Sequence, residues 1–371
     1  MSSHDPFDAA DYASALAPLG EATTLPARAY TDETIYAREV ERLFRGEWLC
    51  AGRADQAPTP GDYVSIDLLG ERLIVVRDRQ GEVRVLSRIC RHRAAMLVSG
   101  TGNARSFQCP YHLWTYGLDG RLLGAPHMDG VQGFDPATCS LPEIRSEIWE
   151  GFVFVNLDGE APPLAPRLAP LRTLLADYAM AELVAEEVAT YDSPFNWKVL
   201  VDNFMEAYHH IATHGDTLQP ILPAALSHVT DNEDGPYSVL VMPANEAGQA
   251  IFDRQMLPGL SESEQPGLVA AVVWPFHLFA PGPHSMAWYQ FLPESADRFT
   301  LRIYDCARKG RTDEERQQSH AILKVVHEQD IGACESVQAG LESGRFERGP
   351  LALLEKSIWQ FNRWWAERML P

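Results

Sequence analysis

Two short cysteine–histidine pairs constrain this chain more than any other feature of its sequence. Cys90 and His92 form a Cys-x-His pair, and Cys109 and His112 form a Cys-x-x-His pair a short distance downstream. Glycine and proline residues lie beside or within these pairs, as expected of loops whose backbone amides approach sulfur atoms. Two thiolates and two imidazoles predict a metal site, either one tetrahedral zinc ion or a [2Fe–2S] cluster.

The grouping of the ligands favours the cluster. Zinc fingers group like ligands, with a pair of cysteines followed by a pair of histidines. Here each loop offers one thiolate and one imidazole. In a Rieske cluster each loop can donate one ligand to each iron, so that Cys90 joins Cys109 on one iron and His92 joins His112 on the other.

The charge and cysteine content narrow the classes of protein. With 31 Lys and Arg against 51 Asp and Glu, the net charge is −20, which disfavours nucleic acid and anionic membranes as partners. The six cysteines are scattered along 371 residues, which disfavours a secreted disulfide framework. The first residues lack a secretory signal pattern, and no run is apolar enough to span a membrane. We therefore expect a soluble protein of the reduced cytoplasm.

The pattern along the first half of the chain predicts a small β domain. Residues 1–30 have the composition of a loose arm, and a helix is expected from residue 31. Alternating residues between 62 and 90 predict antiparallel strands, and another strand is expected within 149–159. The proline-rich residues 160–170 mark the best domain boundary. The expected division is 1–42 for the arm and helix, packed with the catalytic domain, 43–160 for the cluster domain and 161–371 for the catalytic domain.

The second half predicts a sheet with helices. Residues 196–214 have helical spacing, and two long helices are expected at 313–341 and 351–369. Between them, strands are expected at 236–243, 269–276, 286–293 and 299–306. The whole chain is therefore expected to be an α+β protein, with a small antiparallel β domain followed by an antiparallel sheet flanked by helices.

A second cluster of metal-binding residue types lies near residue 206. Glu206, His209, His210 and His214 follow one another closely, with Asp202 just before them. Two histidines and one carboxylate with open positions form the facial triad that binds Fe(II). His209 and His210 point in different directions, so only one of them can join His214, and the helix must widen or end there.

These motifs resemble those of the Rieske non-haem iron oxygenases. Cys90-Arg91-His92-Arg93, Cys109-Pro110-Tyr111-His112 and Trp114-Thr115-Tyr116 are similar to the Rieske motif, and the likeness extends from about residue 31 to the last helix. The resemblance implies a small antiparallel β Rieske domain and a helix-grip-like catalytic domain. It implies that the chain is a terminal oxygenase subunit, an oxidoreductase that incorporates O₂.

The resemblance also implies residue roles at the second site. It makes His209 and His214 ligands of a mononuclear Fe(II), leaves His210 structural, and makes Glu206 the electron-transfer bridge to His112 of a neighbouring subunit. In residues 327–344, which resemble the family's C-terminal signature, Asp330 stands where the third ligand stands. Glu328 and Glu335 are its rivals, and Gln329 replaces an acid of the family pattern.

Partners follow from the same resemblance. A separate flavin or iron–sulfur reductase is expected to supply electrons from NAD(P)H, one at a time, to the Rieske cluster. Because the bridge joins two subunits, a head-to-tail homotrimer is expected. The other partners are O₂ and a small-molecule substrate.

The substrate expected from the resemblance is a quaternary ammonium compound. The chain length, Glu206 and the Gly340-Leu341 ending are similar to choline, glycine betaine and carnitine monooxygenases, which hydroxylate such compounds with N-demethylation or C–N cleavage. An aromatic cage would suit this cation. The candidates for it are Tyr208, Trp274, Phe276, Phe279, Trp288 and Tyr289.

Other functions stay open on the sequence. A ring-hydroxylating dioxygenase or monooxygenase of an aromatic compound would use a similar pocket. A non-catalytic Rieske carrier or a zinc-stabilised binding protein would keep the first site without the chemistry of the second.

Overall fold

The computed structural model describes residues 5–232, 235–252 and 267–371. The chain divides into two compact units, one of Trp48–Pro162 and one of Met1–Glu47 with Pro163–Pro371. Both contain antiparallel sheets, and the second also contains helices, so the expected α+β class is confirmed. Within the described ranges, no helix is both long enough and apolar enough to cross a membrane.

The unit Trp48–Pro162 is built from ten short strands in three antiparallel sheets, ordered β1-β10-β9, β4-β3-β2-β5 and β6-β7-β8. The strands are β1 (Trp48–Arg53), β2 (Asp62–Leu68), β3 (Glu71–Arg77), β4 (Val83–Ser87), β5 (Thr101–Asn103), β6 (Phe107–Gln108), β7 (Thr115–Tyr116), β8 (Leu122–Gly124), β9 (Ser146–Trp149) and β10 (Phe152–Asn156).

The β2–β3 hairpin shows why this region forms strands. Leu69 and Gly70 both have positive φ, at 52° and 82°, as the two-residue turn of a twisted hairpin requires. The turn pairs Leu68 with Glu71 and sets the register of the hairpin. Ile74 and Val76 then point into a core that also contains both loop cysteines.

The second unit has a seven-stranded antiparallel sheet in the order β11-β17-β16-β15-β14-β13-β12. Its strands are β11 (Val184–Ser193), β12 (His228–Val229), β13 (Tyr237–Pro243), β14 (Gly267–Val273), β15 (His277–Pro281), β16 (Met286–Ser295) and β17 (Arg298–Ala307). Its helices are α1 (Arg28–Thr31), α2 (Glu33–Glu39), α3 (Leu164–Arg167), α4 (Ala169–Leu174), α5 (Trp197–Phe204), α6 (Glu246–Phe252), α7 (Asp313–Glu342) and α8 (Lys356–Met369).

The boundaries of three helices and one strand differ from those expected from the sequence. Helix α2 begins at Glu33 because the Asp32 side chain caps it by accepting a hydrogen bond from the Thr34 amide at 2.7 Å. Helix α5 ends at Phe204 instead of continuing to residue 214. Helix α8 begins at Lys356, after a short 3₁₀ turn. The expected strand 269–276 ends earlier, at Val273.

Residues 5–30 do not form the expected loose arm. Tyr12 and Leu25 are fully buried. The Tyr12 hydroxyl donates a hydrogen bond to the Pro6 carbonyl at 2.7 Å, and its ring lies 5.4 Å from that of Trp365 in α8. The aromatic and apolar residues of this segment therefore belong to the core of the larger unit, which outweighs its polar composition.

A buried carboxylate joins three helices of this unit. Glu39, at the end of α2, is fully buried and accepts hydrogen bonds from Trp197 Nε1 at 2.9 Å, Lys198 Nζ at 2.7 Å and Trp365 Nε1 at 2.7 Å. The Lys198 ammonium is itself fully buried. The ion pair is thus stable only because both charges are removed from water together and hydrogen-bonded.

We predict that Glu39→Gln destabilises the chain by on the order of 3 kcal/mol, because it leaves the buried Lys198 ammonium without its counter-charge. Urea unfolding followed by tryptophan fluorescence would measure the effect. Glu41→Gln, an exposed change two residues away, is the matched control. Equal unfolding midpoints for the two variants would contradict the prediction.

Candidate metal centres and cavity

The two cysteine–histidine loops have the same backbone hydrogen-bond pattern. The Cys90 amide donates to the Ala95 carbonyl at 2.8 Å, and the Cys109 amide donates to the Trp114 carbonyl at 2.8 Å. In each loop the amide four residues after the cysteine donates back to the cysteine carbonyl, at 3.0 Å in both. That fourth residue, Ala94 or Leu113, has a positive φ near 60°, a conformation that costs a non-glycine residue energy and is typical of functional loops.

These loops bring the four predicted donors together. The rings of His92 and His112 lie 4.6 Å apart, and His92 stacks on Trp114 at 4.8 Å. Both cysteine side chains are buried. Burial raises the pKa of the Cys90 thiol, but hydrogen bonds from Tyr116 and nearby amides outweigh it, so the net effect lowers that pKa and favours the thiolate.

The four donors fit a cluster better than a single ion. The Nδ1 atoms of His92 and His112 are buried and have no hydrogen-bond partner, as expected of nitrogens meant for a metal. A tetrahedral zinc would draw all four donor atoms to within roughly 4 Å of one another. Among the described residues, however, no three of these four donors lie that close together. The wider arrangement suits a [2Fe–2S] cluster, which these four residues would hold.

The second group of predicted ligands lies just beyond the end of α5. After Phe204 the chain leaves the helix and forms a 3₁₀ turn over Tyr208–Ile211. The Glu206 carboxylate accepts hydrogen bonds from the amides of Tyr208 and His209, the latter at 3.1 Å. This local turn, rather than a widened helix, lets His209 and His214 face the same point.

Asp330, on the long helix α7, meets these two histidines. Its Oδ1 lies 2.9 Å from His214 Nε2 and 3.5 Å from His209 Nε2. Across the described ranges, these three residues are the one group of His, Cys, Asp or Glu side chains whose ligand atoms all lie within 4.8 Å of one another. Asp330 Oδ1 is buried, and neither imidazole meets it with hydrogen-bond geometry. The three atoms therefore converge on one point, as ligands of an ion do.

The electrostatics at that point favour a cation. Burial raises the pKa of Asp330, but the imidazoles of His209 and His214 outweigh it and lower the pKa to about 2. Burial lowers the pKa of His209, but Asp330 and Glu206 outweigh it and raise the pKa to about 9. Both shifts show that a positive charge between these groups is stabilised.

The Nδ1 atom of each of these two imidazoles also has a partner. His209 Nδ1 lies 2.6 Å from Glu206 Oε1, and His214 Nδ1 lies 2.8 Å from Gln329 Oε1. Such partners orient metal-binding imidazoles. His210 instead contacts the Leu222 carbonyl at 3.1 Å, and burial lowers its pKa to about 4. It is a buried structural residue in this arrangement.

The rival carboxylates Glu328 and Glu335 are exposed on α7, so neither joins the group. The sequence distinguishes Gln329, the partner of His214, only by its departure from the family pattern. Its contact with His214 depends on packing between segments more than a hundred residues apart, which no local signal reveals.

A cavity of about 840 Å³ reaches this site. His209, His214 and Asp330 lie in its wall with Glu206, and α7 lines one side. Among the described residues, three Phe or Tyr side chains, Phe204, Phe252 and Tyr289, border the cavity, and the rings of Phe204 and Tyr289 lie 5.0 Å apart. The rest of the wall combines aliphatic side chains with charged ones. The aliphatic residues include Leu218, Leu268, Ile322, Leu323 and Val326, and the charged residues are Arg308, Lys309, Arg311 and Glu315.

Of the six expected cage residues, only Tyr289 lines the cavity. Tyr208 is half exposed elsewhere. Strand alternation turns Trp288 to the opposite face of β16, where it stacks on Tyr304 at 4.3 Å. The remaining candidates are core residues: Trp274 packs on Trp364, Phe276 on Phe44 and Trp197, and Phe279 on His277. Phe204, which does line the cavity, was not among the expected residues.

Comparison with known proteins assigns both regions. Residues 47–135 match the model of the Rieske [2Fe-2S] domain, and residues 180–370 match that of the ring hydroxylating alpha subunit (catalytic domain). The carnitine monooxygenase oxygenase subunit of Escherichia coli (strain K12) is 30% identical over 331 residues, covering 87% of this chain and 85% of that protein.

Two further proteins are similar over most of the chain. The chloroplastic choline monooxygenase of Arabidopsis thaliana is 29% identical, covering 93% of this chain and 82% of that protein. A solved structure of a quaternary ammonium Rieske monooxygenase is 26% identical with a TM-score of 0.79, covering 94% of this chain and 95% of that one.

The donor sets, the orphaned imidazole nitrogens and these matches lead to one conclusion. The chain carries a Rieske [2Fe–2S] cluster and a mononuclear iron, and it belongs to the Rieske non-haem iron oxygenases, as an oxygenase with a ring-hydroxylating alpha-subunit catalytic domain.

Proposed function

We propose that this chain is the terminal oxygenase of a Rieske monooxygenase that hydroxylates a quaternary ammonium compound. The observation that carries the proposal is the convergence of His209, His214 and Asp330 on one point at the wall of a large cavity. We assign these three residues as ligands of the mononuclear iron, and Cys90, Cys109, His92 and His112 as ligands of the cluster. The relatives named for carnitine and choline support the substrate class.

The protein's own groups prepare this chemistry. The cluster supplies single electrons, and the ferrous ion supplies a position at which O₂ can be reduced. Glu206 and Gln329 hold the two imidazoles in orientation. The aliphatic side chains of the wall give a substrate apolar contact, and the cavity opens the site to a small molecule.

Glu206 is proposed as the electron-transfer bridge, with His112 of another copy as its partner. It contacts His209 directly and lies beside the half-exposed Tyr208. Ile211, at the end of the same turn, is 58% exposed. Around the cluster loops Met96, Tyr111 and Leu113 are also more than half exposed. Exposed apolar groups at both places are what a head-to-tail homotrimer would cover.

The remaining partners are proposed on chemical grounds. The cluster needs an electron source, which we propose to be a flavin or iron–sulfur reductase that uses NAD(P)H. We propose a cytoplasmic location because all six cysteines are free of disulfide bonds.

The ammonium group is proposed to rest against Phe204 and Tyr289. These rings border the cavity beside the metal ligands, and aromatic faces attract cations that have been removed from water. The same wall also carries the basic side chains Arg308, Lys309 and Arg311, which suit the carboxylate of an ammonium compound that bears one. A neutral aromatic substrate would gain nothing from these charges.

The metal assignment predicts that the mononuclear iron and the cluster can be lost independently of each other. The unmodified protein should contain about three irons and two acid-labile sulfides per chain. His209→Ala should lose the mononuclear iron and turnover while it keeps the sulfide and the red-brown spectrum. His92→Ala should lose the cluster. Iron and sulfide analysis with absorption spectra would test this, and coupled O₂ consumption by His209→Ala would show that the second site is misassigned.

The bridge role predicts a kinetic defect without metal loss. Glu206→Gln keeps an oxygen acceptor but removes the charge, so both metal sites should persist while electron arrival slows by about tenfold or more. Single-turnover oxidation of the reduced cluster, followed by stopped-flow absorption, measures that rate. Glu335→Gln, an exposed change on α7, is the matched control. A normal rate in Glu206→Gln would exclude the bridge.

The substrate assignment predicts selectivity for charge over shape. Trimethylammonium compounds should be oxidised in preference to neutral isosteres in which carbon replaces nitrogen. Tyr289→Leu should weaken that preference by roughly two- to thirtyfold, the usual range of a cation–π contact, whereas Tyr289→Phe keeps the ring and should retain it. Product analysis and O₂ uptake with paired compounds would measure the ratio. Oxidation of aromatic hydrocarbons but of no ammonium compound would overturn the assignment.

A further inference from the structure

Gln329 occupies a position that the reaction described above does not require to be an amide. Its Oε1 lies 2.8 Å from His214 Nδ1 and also accepts a hydrogen bond from the Thr217 hydroxyl at 2.9 Å. Both contacts are partly buried, and the His214 side chain is 1% exposed. One amide oxygen therefore holds two donors from the segment that follows the 3₁₀ turn.

This arrangement determines which nitrogen of His214 carries hydrogen. A carbonyl oxygen only accepts, so Nδ1 must be the protonated nitrogen, and Nε2, which faces Asp330, is left with its lone pair. The ligand assignment supports this tautomer. A metal-bound Nε2 requires hydrogen on Nδ1, and an amide turned over would place its NH₂ group against that hydrogen. The Thr217 hydroxyl bonds to the same amide and holds it at this position.

The Gln329 amide is neutral, whereas the partner of His209 is charged. His209 Nδ1 faces a carboxylate, that of Glu206, whereas His214 Nδ1 faces a neutral group. The carboxylates of Asp330 and Glu206 together carry two negative charges, which balance one ferrous ion. A third carboxylate at position 329 would leave a net negative charge in a buried site and would favour the ferric ion.

We propose that Gln329, held in place by Thr217, is a positioning residue that sets the tautomer of His214 and, by being neutral where the family pattern has an acid, shifts the mononuclear iron toward the ferrous state. This inference rests on the ligand assignment proposed above. Its consequence is that an iron held by His209, His214 and Asp330 would be harder to oxidise than it would be with a carboxylate at position 329.

Three variants of the full-length protein separate charge from hydrogen bonding. Gln329→Glu keeps an acceptor and adds charge. Gln329→Leu removes the acceptor, and Thr217→Val removes only the orienting hydroxyl. Gln317→Glu, exposed on the same helix, adds the same charge away from the site and serves as the control.

The readouts are the iron retained against a competing chelator and the ferric fraction during a redox titration followed by electron paramagnetic resonance. Gln329→Glu should retain iron but shift the ferric–ferrous midpoint to lower potential, whereas Gln317→Glu should match the unmodified protein. Gln329→Leu should bind iron about tenfold or more weakly than the unmodified protein. The iron affinity of Thr217→Val should lie between those of Gln329→Leu and the unmodified protein.

An unchanged midpoint in Gln329→Glu together with full iron retention in Gln329→Leu would overturn the inference. That outcome differs from failure of the ligand assignment, in which His209→Ala would keep its mononuclear iron. The absorption of the Rieske cluster should be the same in all four variants and reports that each has folded.

Discussion

The buried ion pair between Glu39 and Lys198 is the contact on which the larger unit depends. It ties the end of α2 to the start of α5, while Trp365 of α8 donates to the same carboxylate. Each of these partners lies more than 150 residues from Glu39 in sequence. Neither charge could remain buried without the other, so the N-terminal segment, α5 and α8 must assemble together.

The position of α5 then decides where the mononuclear site forms. Its first turn is held by Glu39 through Trp197 and Lys198, and its last residue is Phe204, which already borders the cavity. The Glu206 carboxylate accepts hydrogen bonds from backbone amides of the following turn and also contacts the His209 imidazole. One side chain therefore ends the helix, orients a ligand and faces the cavity.

The two metal regions are built in different ways. The cluster loops are local: each closes on its own backbone within six residues, and the two loops repeat the same hydrogen bonds. The mononuclear site is assembled from α7 and from the turn after α5, which are separated by more than a hundred residues. This difference explains why the two could be predicted from sequence to different depths.

Motif spacing in the sequence was enough to predict the cluster donors, because short loops need particular residues at particular positions. It also predicted most strands and α7, since strand alternation and helix caps are local. The resemblance to a family supplied His209, His214 and Asp330, which the structure brings together. The expected extension of α5 to residue 214 was wrong, because the Glu206 side chain competes for the amides that would continue the helix.

Only the tertiary structure decided which side chains line the cavity. Alternation along β16 indicates that Trp288 and Tyr289 face opposite ways, but not which of them faces the cavity. That choice depends on which face of the sheet α7 covers. The same holds for Gln329 and Glu39, whose partners are distant in sequence. Local propensities act over a few residues, whereas burial and charge pairing act between any segments that the fold brings into contact.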